Sequence, residues 1–241
     1  MSNKISLIYK LILTLLIFTP GLYSVKADNQ NNYFNINPDQ YSKPSKSKSA
    51  QELNDEAFEL FNKELYDEAL FLLNQSIQKE SPKINYLSLE FRANLLNELK
   101  RYNESLQDYN LIIQANEGNS HTMLARGKLK QKLNDYEGAK KDYQEIISGE
   151  SGKYSHAYTL GPAYQSLALL EWIVFKQYEK ALIAIRNAKD YTYPSTNRNV
   201  EFETHILIAL DRRSEACANL KILTAQKYEP INPFKDINCS E

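Results

Sequence analysis

The chain of 241 residues contains little glycine and histidine, and this scarcity excludes several kinds of site. Its 7 glycines form neither a dinucleotide-binding fingerprint nor a complete phosphate-binding loop. Its 3 histidines, His121, His156 and His205, lack the spacing of metal ligands. No nucleophile elbow or pair of carboxylates stands out. The sequence therefore offers no catalytic residue, cofactor site or metal ligand, and we expect a protein that is not an enzyme.

Long apolar runs are also absent after the first residues of the chain. Lys4 and Lys10 provide a positive start, and an apolar stretch follows from Leu11 to Phe18. With small residues leading to Ala27, this pattern predicts an export signal over residues 1–27. The alternative is an uncleaved membrane anchor, although Lys10 leaves the apolar run short of the ~20 residues that span a bilayer. We expect an exported protein, periplasmic or secreted.

The chain that would remain after cleavage is slightly acidic and begins with a polar segment. It carries 26 basic and 30 acidic residues, a balance that disfavours a nucleic-acid partner because phosphate backbones select a basic surface. Residues 28–49 contain few aliphatic side chains, so their composition predicts a flexible linker.

A four-residue pattern, an aromatic residue followed three positions later by a small one, recurs along the rest of the chain. Its copies are Tyr66 to Ala69, Tyr102 to Ser105, Tyr136 to Ala139 and Tyr178 to Ala181, with a degenerate copy from Arg213 to Ala216. The last residues of successive copies are 36, 34, 42 and 35 positions apart. A period near 34 residues predicts paired helices stacked as a solenoid, with a tight turn at Asn134-Asp135. The alternative is a helical bundle with accidental similarity.

A second set of small residues precedes the pattern, at Ala57, Ala93 and Gly127, and would let two helices approach closely. Together the two sets resemble the tetratricopeptide repeat over about residues 50–230. The resemblance implies an all-α, right-handed helical-repeat solenoid of about five helix pairs. The units would cover residues 50–83, 86–119, 120–153, 162–195 and 197–230, the fifth acting as a cap and residues 231–241 as a capping tail. Leu169 departs from the family pattern, since a small residue is usual at its position.

The fourth unit differs from the others in spacing and in composition. Eight extra residues, Tyr154 to Gly161, predict a loop before it, and Pro162 suits the first position of a helix. Its first helix is apolar nearly all round, which indicates either deep burial or an exposed patch around Trp172 and Phe175. Such a patch would favour self-association, and the protein would then be a structural or assembly factor.

The only cysteines are Cys217, in the last helix, and Cys239, near the end of the chain. In an exported protein an even pair predicts a disulfide. The bond would hold the tail against the final helix, where no further unit follows.

The resemblance also implies that the first helix of each unit lines a concave groove that binds a protein or peptide. Asn94 and Lys128 match two positions of a clamp that holds a C-terminal carboxylate in some members of the family. The clamp is incomplete, because Phe58 and Leu124 occupy two other positions. We therefore expect a looser binding surface or a solvated polar face. The candidate groove residues are Asn94, Asn97, Lys128, Gln131 and Lys132.

Overall fold

The computed structural model describes residues 48–80, 83, 85–115, 119–149, 157–191, 197–229, 234 and 239. In this part of the chain there are ten α-helices and no strand. They are α1 (Ala50–Asn62), α2 (Tyr66–Glu80), α3 (Tyr86–Glu98), α4 (Tyr102–Gln114), α5 (Ser120–Lys132), α6 (Tyr136–Ser148), α7 (Ala157–Leu169), α8 (Tyr178–Asp190), α9 (Asn197–Ala209) and α10 (Arg213–Ala225). The predicted export signal, most of the predicted linker and most of the tail lie outside the described residues.

Consecutive helices form five pairs, and the second helix of each pair begins at the predicted position. The five first residues are Tyr66, Tyr102, Tyr136, Tyr178 and Arg213. Two residues earlier in each pair, the backbone takes a left-handed conformation, at Glu64, Lys100, Asn134, Lys176 and Asp211. The predicted turn at Asn134 is therefore confirmed. A residue in this conformation ends a helix and satisfies its last carbonyls, so the short turn returns the chain antiparallel to itself.

Each pair is closed by small residues on both helices. Ala57 and Ala93 on first helices have no exposed surface, and neither does Ala139 on α6. Gly127 allows a close approach, because a Cβ atom there would lie 2.5 Å from Cε1 of the fully buried Tyr143 ring. The predicted function of these residues, to bring two helices together, is confirmed.

The core consists of clusters that each join one pair to the next. In the first cluster Ala57 and Leu73 of the first pair pack with Leu95 of the second. In another, Tyr143 of the third pair packs with Leu170 in the fourth. Since each unit buries its apolar surface against its neighbour, the pairs stack as a solenoid.

The fourth pair corrects two expectations. Its first helix does not begin at Pro162 after a loop; α7 begins at Ala157 and includes Pro162. It also continues as a short π-helix, Leu170–Val174. The N–H of Gln177 donates to the carbonyl of Glu171, 2.7 Å away and six residues earlier in the chain. The equivalent hydrogen bond in the turn of each other pair spans five residues. The inserted residue shifts the register, so the small residue of this helix is the fully buried Ala168 and not Leu169.

Arginine side chains connect neighbouring pairs along one side of the stack. Nε and Nη2 of Arg126 on α5 lie 3.0 and 2.7 Å from the carboxylate of Asp142 on α6, and Nη1 donates to Asn110 of the preceding pair. Arg92 makes the same contacts one unit earlier, with Asp108 and Asn74. Lys130 adds a second cation 3.0 Å from Asp142.

Between the fourth and fifth units the positions of the cation and the anion in this contact are exchanged. Glu203 on α9 occupies the position of Arg92 and Arg126, directly before a small buried residue. It accepts from Nε of Arg186 on α8 at 2.8 Å and from Lys189. Burial raises the pKa of Glu203, but these two hydrogen bonds outweigh it and hold the pKa below its usual value. The fifth unit therefore fits only a neighbour that presents cations.

We expect Gly127→Ala to destabilise the protein by about 1–3 kcal/mol, because the new methyl group would overlap the buried ring of Tyr143. In an uncrowded helix the same change would stabilise by about 1 kcal/mol. Urea unfolding, monitored by circular dichroism, shows whether the substitution lowers or raises the free energy of unfolding. Gly127→Ala combined with Tyr143→Leu should recover part of the loss, whereas equal losses in the single and double variants would show that the ring is not the cause.

We expect Asp142→Ala to destabilise by about 3–5 kcal/mol, since it leaves Arg126 and Lys130 without a carboxylate. Asp108→Ala should cost less, because it leaves only Arg92, which is more exposed than Arg126 (23% against 14%). Urea midpoints of the two variants test this order. A larger loss for Asp108→Ala would contradict it.

Candidate binding surface

The five candidate groove residues lie on the first helices of the second and third units and are accessible to solvent. We call them the central face: Asn94, Asn97, Lys128, Gln131 and Lys132. Asn94, Lys128 and Lys132 are exposed, and Asn97 and Gln131 are partly exposed. Nζ of Lys132 donates to Oδ1 of Asn97 at 2.9 Å, so the two helices present one continuous polar surface.

Two buried tyrosines lie beneath the central face. The hydroxyl of Tyr109 on α4 donates to Oδ1 of Asn94 at 2.6 Å, and the hydroxyl of Tyr143 on α6 donates to Oε1 of Gln131. Their rings are 1% and 0% exposed, and burial raises the pKa of both phenols. Both phenols therefore keep their protons at neutral pH and remain available as donors.

The two lysines of the central face have no carboxylate partner among the described residues. Burial lowers the pKa of Lys128, and it also lowers that of Lys132, where Glu98 opposes the effect. Both side chains reach solvent, but the surrounding helices withhold part of their hydration. Lys132 lies 5.4 Å from the ring centre of Tyr102, and Asn97 is its hydrogen-bond acceptor.

The clamp implied by the resemblance stays incomplete in three dimensions. Phe58 is 54% exposed on α1, and its ring centre lies 6.2 Å from that of Phe91. Leu124 is buried in the core between the third and fourth units. The surface thus offers an apolar edge at the first unit and polar groups at the next two.

The alternative apolar patch is mostly interior. Trp172 is 4% exposed, with its ring 5.1 Å from that of Phe202 and 5.9 Å from that of His205. Phe175 is partly buried, and Nζ of Lys140 lies 4.4 Å above its ring. Of the two expectations for this helix, burial describes Trp172.

The structure pairs Cys217 with Cys239, with Cα atoms 5.6 Å apart. Phe234, from the same tail, lies with its ring centre 4.6 Å from that of His205. His205 is thereby enclosed between Trp172 and Phe234, and no described residue bonds to its buried Nε2. Burial lowers the pKa of His205, while Glu201 opposes the shift.

Sequence reasoning missed the tyrosine–amide bonds and the π-helix. Leu73 and Ile185 occupy the position of Tyr109 and Tyr143 in other units. A buried tyrosine at a position that accepts an aliphatic residue signals a partner for its hydroxyl. For the π-helix, the available signal was the small residue Ala168, which directly precedes the position, Leu169, where a small residue is usual. No cluster of His, Cys, Asp and Glu in the described residues could hold a metal ion.

Comparisons with known proteins identify the fold. No family model matches the sequence, and no curated protein does. A tetratricopeptide repeat protein from Parabacteroides merdae is 20% identical, with a TM-score of 0.58 over 78% of this chain and 69% of its own. MamA from Desulfovibrio magneticus is 16% identical, with a TM-score of 0.58 over 74% and 94%. BtubC from P. vanneervenii is 13% identical, with a TM-score of 0.60 over 79% and 86%.

At these identities the likeness shows the fold and not a shared activity. The chain has the tetratricopeptide-repeat fold, an all-α solenoid of helix pairs, as its sequence predicts. None of the described helices is long and apolar enough to cross a membrane.

We expect acid to weaken the cap around His205. Its pKa in the folded protein is lower than 6.5, the value expected when unfolded, so the folded state binds fewer protons. The stability that the neutral His205 contributes is complete above pH 6.5, the unfolded value, and is lost as the pH falls from there through the lower pKa of the folded protein. Urea midpoints of wild type and His205→Phe, between about pH 8 and pH 5, should diverge below about pH 6.5. His121→Phe, at an exposed position, is the control; equal pH dependence in all three would contradict the expectation.

Proposed function

We propose that the protein is an exported, non-catalytic adaptor that binds an extended segment of another protein on its central face. In the tetratricopeptide-repeat fold the first helices line the concave side, and the central face lies on two consecutive first helices. Export is part of this proposal, and its support is the sequence pattern of residues 1–27.

The observation that carries the proposal is an exposed polar row that crosses a unit boundary. Lys132 of the third unit bonds to Asn97 of the second, and the exposed Lys128 forms no ion pair among the described residues. Elsewhere in these units the cations Arg92, Arg126 and Lys130 are engaged with buried aspartates. The central face therefore retains polar groups that a partner can bind without breaking the core.

An extended segment suits this row better than a compact domain. The exposed groups follow one another along two neighbouring helices, as subsites for successive residues of a strand-like peptide. The exposed Phe58 at the first unit adds an apolar subsite at one end. The described residues bring together no acid, base and nucleophile that would support catalysis on this surface.

Affinity capture from an extract of the native cells tests the proposal. The wild-type chain is compared with Asn94→Ala/Lys128→Ala, which removes two exposed side chains of the central face. The matched control, Asn103→Ala/Lys141→Ala, removes the same residue types from exposed positions on second helices. We expect a partner that binds the wild type and the control and is lost by the first variant.

Two results would contradict the proposal. If all three baits recover the same partner, the central face is not the site. If the baits recover only this chain, self-association replaces the adaptor function, and sedimentation of the purified protein would show a stable oligomer. The near-complete burial of Trp172 leaves little of that side chain for such contacts.

A further inference from the structure

The side-chain oxygens of the central face are already used inside the protein. Oδ1 of Asn94 accepts from Tyr109, Oδ1 of Asn97 accepts from Lys132, and Oε1 of Gln131 accepts from Tyr143. An amide group whose oxygen is held in this way turns its NH2 group toward the opposite side. No described residue accepts a hydrogen bond from these three NH2 groups, so they remain available to a ligand.

The orientation of two of these amides is dictated by the core. A buried hydroxyl needs a hydrogen-bond partner, and each tyrosine ring is fixed by the helices that enclose it. The hydroxyl of Tyr143 donates to Oε1 of Gln131, so the proton of this phenol is directed to the central face.

The charges of the central face, like its NH2 donors, favour a ligand with negatively charged acceptors. Lys128 and Lys132 form no ion pair in the described part of the chain, although Glu98 acts on Lys132 without direct contact. Lys130 and Lys140, on α5 and α6, by contrast pair with Asp142 and Glu171. Both central-face lysines are exposed, and partial burial of their side chains against the helices lowers the pKa of each. A carboxylate placed between them would restore the missing interaction.

We propose that the central face selects an acidic protein segment, because the five side chains that define it present donors and cations. This inference deepens the proposed function and rests on it. Carboxylates spread along an extended chain match donors spread over two helices. Phosphate groups favour guanidinium forks and converging backbone N–H groups, and the arginines of these units, Arg92 and Arg126, are held by Asp108 and Asp142.

The experiment compares two short fluorescent peptides in which every second residue is glutamate or, in the counterpart, glutamine. Their binding to the purified full chain is measured by fluorescence anisotropy at about 20 mM and about 150 mM salt. We expect the glutamate peptide to bind at least about tenfold more tightly at low salt. Lys128→Gln/Lys132→Gln should abolish the preference. Lys141→Gln, which removes an exposed charge from α6, should leave it unchanged.

Equal binding of the two peptides, or a preference that survives in Lys128→Gln/Lys132→Gln, would overturn the inference. Competition by millimolar inorganic phosphate as strong as that by the glutamate peptide would also overturn it in favour of a phosphate site. A partner captured through Asn94 and Lys128 together with equal peptide binding would leave the adaptor function intact and refute only the acidic ligand. The two proposals can therefore fail separately.

Tyr109→Phe tests the contribution of the amide orientation. Without the hydroxyl, Asn94 is free to turn its oxygen outward, so the preference for glutamate should fall while circular dichroism shows the same helix content. An unchanged preference would overturn the assignment of this amide. The ratio between the two peptides is the informative quantity, because a general loss of stability would weaken both equally.

Discussion

The close contact between the two helices of each unit is the constraint on which the rest of the structure depends. Small residues such as Ala57 and Ala69 meet at this contact, and a large residue four positions farther along the second helix fills the space beside them. In the third unit a glycine brings the helices so near that the ring of Tyr143 fits beneath α5. Its hydroxyl then reaches Gln131, one turn farther along that helix. The packing of the core and the chemistry of the surface are thus linked.

The buried ion pairs act on the same surface by removing charge from it. Arg92 and Arg126 turn toward Asp108 and Asp142, so these guanidinium groups do not reach the central face. Because Glu203 takes the equivalent position in the fifth unit, a neighbour with asparagine in place of Arg186 would leave a buried carboxylate without this guanidinium. Such contacts define the order of the units as well as their stability.

The sequence predicts most of the fold because its signals are local. An aromatic residue followed by a small one marks the start of each second helix, and the starts at Tyr66 and Tyr178 agree with the structure. The predicted register of α7 was wrong. Counting back from Tyr178 assumes an uninterrupted α-helix, whereas the π-helix adds one residue between the two. The helix also continues through Pro162, although proline removes one backbone hydrogen bond and its ring crowds the preceding turn.

The exposure of the central face was predictable, but the orientation of its polar groups was not. Helical register alone indicates that Asn94 and Lys128 are accessible. The direction of the Asn94 amide depends on Tyr109, which belongs to another helix, and no pattern in α3 reports it. Where Leu73 or Ile185 replaces the tyrosine, no hydroxyl is present to orient a surface amide. The choice between tyrosine and an aliphatic residue at one buried position therefore determines whether a unit presents oriented donors, so the polar groups of this surface depend on the core beneath it.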